Sequence, residues 1–238
     1  MFGKSIEIMK CLKNKILRRC MKLRLRPIHV FNFHQVSDAF NPDMMWKCDW
    51  IQTDTFKRRI LDLKKRYTFI SLEEVFEHIS SDRVRYKRYA ALTADDGCYS
   101  ILSVIPWLAE QEIPVTLFLN PSYMQGYHNP NREHERFMTD DDIRRIVLKS
   151  SPYVSIASHG WFHKKRLEMT DYEFQENIQK AERYLTDIPG KKPFFAFPFG
   201  CFQKTDFAFL AHNGLVPVMQ DGQYNTDDAI CIHREDLI

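Results

Sequence analysis

The spacing of hydrophobic and polar positions changes period many times along the chain, and each change marks an element. Residues 4–25 place Ile6, Met9, Leu12, Ile16, Cys20 and Leu23 three or four apart, which predicts a helix with one apolar stripe on a basic body. Pro27 ends it. Ile28-His29-Val30-Phe31-Asn32-Phe33-His34 alternates and is rich in aromatic residues, so it reads as the first strand, with His34 at its C-terminal end. A polar loop over 38–52 follows, then a helix over 54–67 with Phe56, Ile60, Leu61 and Leu63 inward. Phe69-Ile70 reads as a short strand, and Ser71 with Glu74 three residues on opens another helix. The basic link 83–88 reads as a solvated loop.

From Tyr89 to Ala94 there is neither charge nor alternation, as in a strand covered on both faces. A helix is predicted over 99–111, a strand over 114–119, and a long polar segment over 120–137 whose length suits a functional loop. Thr139 caps a helix running to about residue 148, with Asp140, Asp141 and Asp142 favoured by the helix dipole. Strands over 153–157, 194–197 and 215–219 alternate with helices over 171–185 and 204–213, and a last strand lies around Ile230-Cys231-Ile232. Alternation of this kind predicts a distorted (β/α) TIM-like barrel of about seven parallel strands, with reactive groups at the strand C-terminal ends. The expected organisation is a basic helix or arm over 1–26 and a catalytic barrel over 27–238.

A length of 238 residues suits one such domain, and no run of eighteen apolar residues exists to cross a bilayer. The net charge of +3 conceals an asymmetry, because residues 1–26 hold nine Lys or Arg against Glu7 alone. That arm could rest on an anionic membrane surface, dock on its own domain, or trail as a basic tail. No nucleic-acid signature accompanies it. Six cysteines, at 11, 20, 48, 98, 201 and 231, show no metal spacing and read as reduced thiols. Lysines and arginines interrupt every apolar stretch near the start, so a cytoplasmic protein is expected, peripheral at the inner face of the membrane where the arm takes the first of these roles.

Four chemical features fall at predicted strand ends: His34, Asp95-Asp96 before Gly97, His159 with His163, and Pro198-Phe199-Gly200. Two histidines four apart suit metal capture on one helical turn, and a carboxylate from another strand end completes a set with open positions. The second carboxylate is then free to take a proton.

Thr93-Ala94-Asp95-Asp96-Gly97 resembles a T-F-D-D-G motif, Ser158-His159-Gly160-Trp161-Phe162-His163 an S-H-T-x-x-H motif, and Phe195-Ala196-Phe197-Pro198-Phe199-Gly200 an F-A-Y-P-Y-G motif. Together these resemble the polysaccharide deacetylase family, the NodB-homology carbohydrate esterases. The resemblance implies metal-dependent hydrolysis of an N-acetyl group on an amino sugar of a polysaccharide or its precursor. It implies Asp95 as general base, with Asp96, His159 and His163 binding zinc, or else cobalt, nickel or manganese. The Phe199 amide would stabilise the oxyanion, His233 would be the general acid with His34 its competitor, and Trp161, Pro198, Gly200 and His34 would line the substrate site. Alternatives are a catalytically weakened carbohydrate-binding relative and a deformylase of a lipid-linked amino sugar. Many members carry an Arg where this chain has Ala196, so another group must orient Asp95. Cys98 and Cys201 each follow a motif glycine. Tyr123, Tyr127 and His128 are candidates for sugar contact.

Overall fold

The computed structural model describes residues 26–39, 50–81, 85–127, 135–226 and 230–237. The predicted basic helix and His128 lie outside these residues.

The strands are β1 (His29–Phe33), β2 (Gln35–Val36), β3 (Trp50–Ile51), β4 (Thr68–Phe69), β5 (Tyr89–Ala94), β6 (Val115–Leu119), β7 (Val154–Ser158), β8 (Lys191–Ala196), β9 (Val216–Gln220) and β10 (Ile232–Asp236). The helices are α1 (Thr53–Lys64), α2 (Leu72–Ile79), α3 (Ile105–Glu110), α4 (Pro121–Met124), α5 (Asp140–Ser150), α6 (Asp171–Leu185) and α7 (Lys204–His212). Seven parallel strands run β1-β10-β9-β8-β7-β6-β5, and pairing of β1 with β5 closes the ring. This is the distorted (β/α) barrel that the alternation predicts. Short β4 pairs with the start of β5, and β2 pairs with β3 apart from the ring.

Side-chain alternation along each strand divides the core in two. Val30, Ala91, Phe118, Ala157, Phe194, Ala196, Val218 and Ile232 fill the barrel interior, where three alanines leave room for two phenylalanines. Leu72, Val75 and Ile79 of α2 join the same cluster, so this helix closes the end from which the strands start. Its N-terminus carries the predicted capping box between Ser71 and Glu74. On the outer face, Leu92, Leu117 and Ile156 meet Phe56, Ile60, Leu108 and Ile143 of the surrounding helices. Phe195, Phe197 and Met219 meet Phe174, Ile178 and Leu210.

Three expectations are corrected. The helix over 99–111 is two pieces, a 3₁₀ turn at Tyr99–Ser103 and then α3, because Pro106 cannot sit inside a continuous helix. The basic link is not wholly solvated: Arg85 is fully buried and donates to the carbonyls of Arg26 and His78. The last strand starts at Ile232 and runs through His233, Arg234, Glu235 and Asp236, later than the apolar residues suggest. Among the described residues, no helix is long and apolar enough to cross a membrane.

Phe118 is fully buried inside the barrel, 5.1 Å below the Arg234 guanidinium. Phe118→Ala is expected to lower unfolding free energy by about 3–5 kcal/mol in urea titrations, through lost burial and the cavity left behind.

Candidate metal centre and active site

The site begins where β5 ends. Asp95 N–H donates to Phe33 C=O at 3.1 Å, prolonging the ladder with β1. Asp96 and Gly97 then both take positive φ, 68° and 72°. A regular strand would send Asp95 and Asp96 to opposite faces; this left-handed turn makes them converge. Aspartate is among the residues that tolerate it. Gly97 is required for a second reason, since a β-carbon there would lie 2.9 Å from Leu119 Cδ2.

The two histidines are brought together by a loop and not by the helical turn expected from their spacing. Asn120, fully buried after β6, donates to the carbonyls of His159 at 2.7 Å and Gly160 at 3.0 Å. From α6, the Asn177 side chain accepts from Phe162 N–H at 2.8 Å, while its backbone carbonyl accepts from Trp161 N–H at 3.1 Å. A β-carbon on Gly160 would lie 2.5 Å from Asn177 Nδ2. So held, the loop returns His163 to within 5.1 Å of the His159 ring.

The ring tautomer decides what this set can hold. His159 Nδ1 lies 2.8 Å from the Ala196 carbonyl, which can only accept, so Nδ1 carries the proton and Nε2 presents a lone pair. Burial holds His159 below its ordinary pKa despite the neighbouring Asp95 and Asp96, which keeps the ring neutral. Its Nε2 faces Asp96 Oδ1 at 3.5 Å, and His163 Nε2 faces the same oxygen at 3.3 Å. The ligand atoms of Asp96, His159 and His163 all lie within 4.8 Å of one another. A carboxylate oxygen and an imidazole lone pair repel at close range unless a cation lies between them. Residues and orientation therefore fit a divalent ion, down to the carbonyl that fixes the His159 tautomer.

The sequence profile of the polysaccharide deacetylase family matches residues 82–218. The chain belongs to the polysaccharide deacetylase family. Its fold is similar to that of IcaB from Ammonifex degensii, with a TM-score of 0.75 at 17% identity over 89% of this chain and 91% of that one. It is similar also to the Streptococcus pyogenes deacetylase PplD, solved in complex with acetate, with a TM-score of 0.74 at 17% identity over 89% of this chain and 92% of that one. For the de-N-acetylase from Aggregatibacter actinomycetemcomitans the TM-score is 0.69 at 15% identity, over 89% and 95% of the two chains. No curated protein matches the sequence.

The group that faces Asp95 in this deacetylase-family chain is Arg234, on the last strand. Its Nη1 and Nη2 donate to Asp95 Oδ1 and Oδ2 at 2.7 and 2.8 Å, a bidentate pair in which both residues are buried. Nη1 also reaches Asn32 Oδ1 at 3.0 Å and Thr93 Oγ1 at 3.2 Å, and Asn32 Nδ2 donates to Asp95 Oδ2 at 3.2 Å. Burial opposes the charge on Asp95, but Arg234, assisted by His34, outweighs it and holds the carboxyl below its ordinary pKa. Arg234 escaped the sequence reading because the strand was placed too early. The usable signal was parity: two residues beyond inward-facing Ile232, Arg234 faces inward as well.

The same parity removes His233 from the set. It points away from Arg234, with Nδ1 2.7 Å from Asp221 Oδ2 and Nε2 3.6 Å from Cys231 Sγ. His34 follows β1 and lies close enough to act on the charge of Asp95. Trp161 is buried, edge-on to Tyr184 with Lys180 Nζ 3.9 Å over its ring, and it lines a pocket with Phe162, Asn177 and Lys180. Pro198 is buried, while Phe199 takes φ 58° and keeps its ring 55% exposed, 4.4 Å from the His163 ring. Gly200 has φ 62°, and a β-carbon there would meet Gln220 O at 3.1 Å. Tyr123 is buried against Phe137 beside His163, whereas Tyr127 is half exposed. Cys98, Cys201 and Cys231 are free thiols.

Arg234→Met leaves the Asp95 carboxylate buried without its guanidinium, and unfolding free energy is expected to fall by about 3–5 kcal/mol, with part recovered in Arg234→Met/Asp95→Asn. A second expectation concerns pH. The bonds of His233 to Cys231 and Asp221 raise its pKa to about 9 against the opposing effect of burial. A raised histidine stabilises the folded state fully below its unfolded value and loses that contribution as pH rises through the folded one. Melting temperature should therefore decline between mildly acidic pH and about pH 9, and His233→Gln should flatten that slope.

Proposed function

We propose that the protein is a metal-dependent N-deacetylase that hydrolyses the acetamido group of an N-acetylated amino sugar in a polysaccharide or its precursor. One observation carries this reading: an Asp96–His159–His163 set, with the His159 tautomer fixed by the Ala196 carbonyl, stands beside a second carboxylate, Asp95, that is itself held by Arg234. A divalent ion on that set, zinc foremost, would supply a Lewis acid for the acetyl carbonyl and make water a nucleophile near neutral pH.

The chain supplies the rest. Asp95 takes the proton of the attacking water, and the Arg234 fork keeps its oxygens in place and ionised. The Phe199 N–H is assigned to the developing oxyanion, aimed by the left-handed backbone at that residue. His34 is assigned the proton delivered to the departing amine, since His233 lies on the other face of β10. Products are a free amine and acetate. The exposed Phe199 ring beside His163 offers an apolar face to the sugar, and Pro198 and Gly200 shape the same wall. The Arg234 fork stands where an arginine is absent at position 196, which supports this reading over that of a non-catalytic relative.

With zinc or cobalt added, the protein is expected to release acetate from N-acetylglucosamine oligomers. Asp95→Asn should reduce the rate about a hundred- to ten-thousand-fold while zinc content is unchanged. An undiminished rate would exclude Asp95 as base. His159→Ala should lose stoichiometric zinc by metal analysis of the purified protein; retention would remove that residue from the metal set.

A further inference from the structure

A second constellation lies on the opposite face of β10 from Arg234. Asp221, just past β9, holds His233 Nδ1 at 2.7 Å, and His233 Nε2 lies 3.6 Å from Cys231 Sγ. The order is orienting carboxylate, imidazole, sulfur, the arrangement that activates a thiol nucleophile. A carboxylate only accepts, so Nδ1 donates to Asp221, and Nε2 faces the sulfur, placed to hold the proton that the thiol gives up. The raised pKa of His233, to about 9, agrees with an imidazolium at neutral pH. Transfer of the thiol proton to a carboxylate-oriented imidazole is the general-base step that makes sulfur a nucleophile.

The geometry is built and not incidental. Fully buried Asn225 accepts from His233 N–H at 2.8 Å and donates to its carbonyl at 2.8 Å, fixing the backbone between the imidazole and the thiol. Access is narrow: Cys231 is 8% exposed, while the His233 and Asp221 side chains are each about a quarter exposed. Only a small electrophile reaches such a sulfur. Nothing in the proposed deacetylation uses these three residues.

We propose that Cys231 is an activated thiol that reacts with small hydroperoxides. The thiolate attacks the hydroxyl-bearing oxygen of the peroxide; the S–O bond forms as the O–O bond breaks. The departing oxyanion takes the Nε2 proton of His233 and leaves as water or an alcohol, and Asp221 holds the imidazole throughout. Sulfur loses two electrons to give a sulfenic acid, and the peroxide gains them.

The test uses the full chain, substoichiometric hydrogen peroxide and a sulfenic-acid-trapping dione, with labelling at each cysteine read by peptide mass spectrometry. Cys231 is expected to label about tenfold faster than Cys201, the more exposed described thiol, whose sulfur donates to the Phe199 carbonyl. His233→Asn and Asp221→Asn should each slow Cys231 by about tenfold and leave Cys201 unchanged. Equal labelling of Cys231 and Cys201 in the unmodified protein overturns the proposal, and that comparison needs no variant to fold. A Cys231 rate unchanged in a folded Asp221→Asn protein overturns it equally, reducing the cluster to a pin on β10.

Discussion

A buried guanidinium–carboxylate pair ties the last barrel strand to the fifth, across β1 between them. Neither Arg234 nor Asp95 could remain charged alone at that depth; together, with Asn32 and Thr93, they form a polar network inside an apolar barrel. The pair constrains the architecture as well as the chemistry. Arg234 reaches Asp95 only if β10 pairs with β1 and β1 with β5, the pairings that close the ring. Phe118 beneath the guanidinium and the small Ala91, Ala157 and Ala196 around it leave the space.

Once Asp95 is held by Arg234, its neighbour is free for different work. The left-handed turn at Asp96 and Gly97 sends the second carboxylate towards two imidazoles whose loop is clamped from β6 and α6 by Asn120 and Asn177. The Ala196 position keeps a role although its side chain carries no charge, for its carbonyl fixes the His159 proton on Nδ1. Substitution of the family's arginine at this position thus separates two functions. The backbone of β8 serves the His159 ring, and a side chain from β10 serves Asp95.

Parity on β10 distributes chemistry to both of its faces. Arg234 enters the barrel, and His233 joins Asp221 and Cys231 outside it. A slip of one residue in this strand would exchange the two, burying a histidine beneath Asp95 and exposing the arginine. Asn225, bonded to both the N–H and the C=O of His233 and to the Ile28 carbonyl, fixes that register against β1.

The alternation of apolar runs with amphipathic stretches was enough to specify the barrel, because burial on both faces of a parallel strand writes itself into composition. Asp95, Asp96, His159 and His163 were legible too, since each stands next to a strand end that the apolar pattern marks. The extent of the terminal strand was not. His233, Arg234, Glu235 and Asp236 lie beyond the apolar residues 230–232 that mark it, and only the carboxylate waiting across the barrel makes an arginine there a core residue. The buried Arg85 escaped for the same reason, its partners being backbone carbonyls that no side-chain pattern records. The sequence by itself determined the fold class, the position of the paired acids and the metal-ligand types. Tertiary structure decided which arginine meets Asp95, which face of β10 His233 takes, and which loop geometry joins His159 to His163, because charge burial depends on partners that are distant in the chain and hydrophobic period carries no information about them.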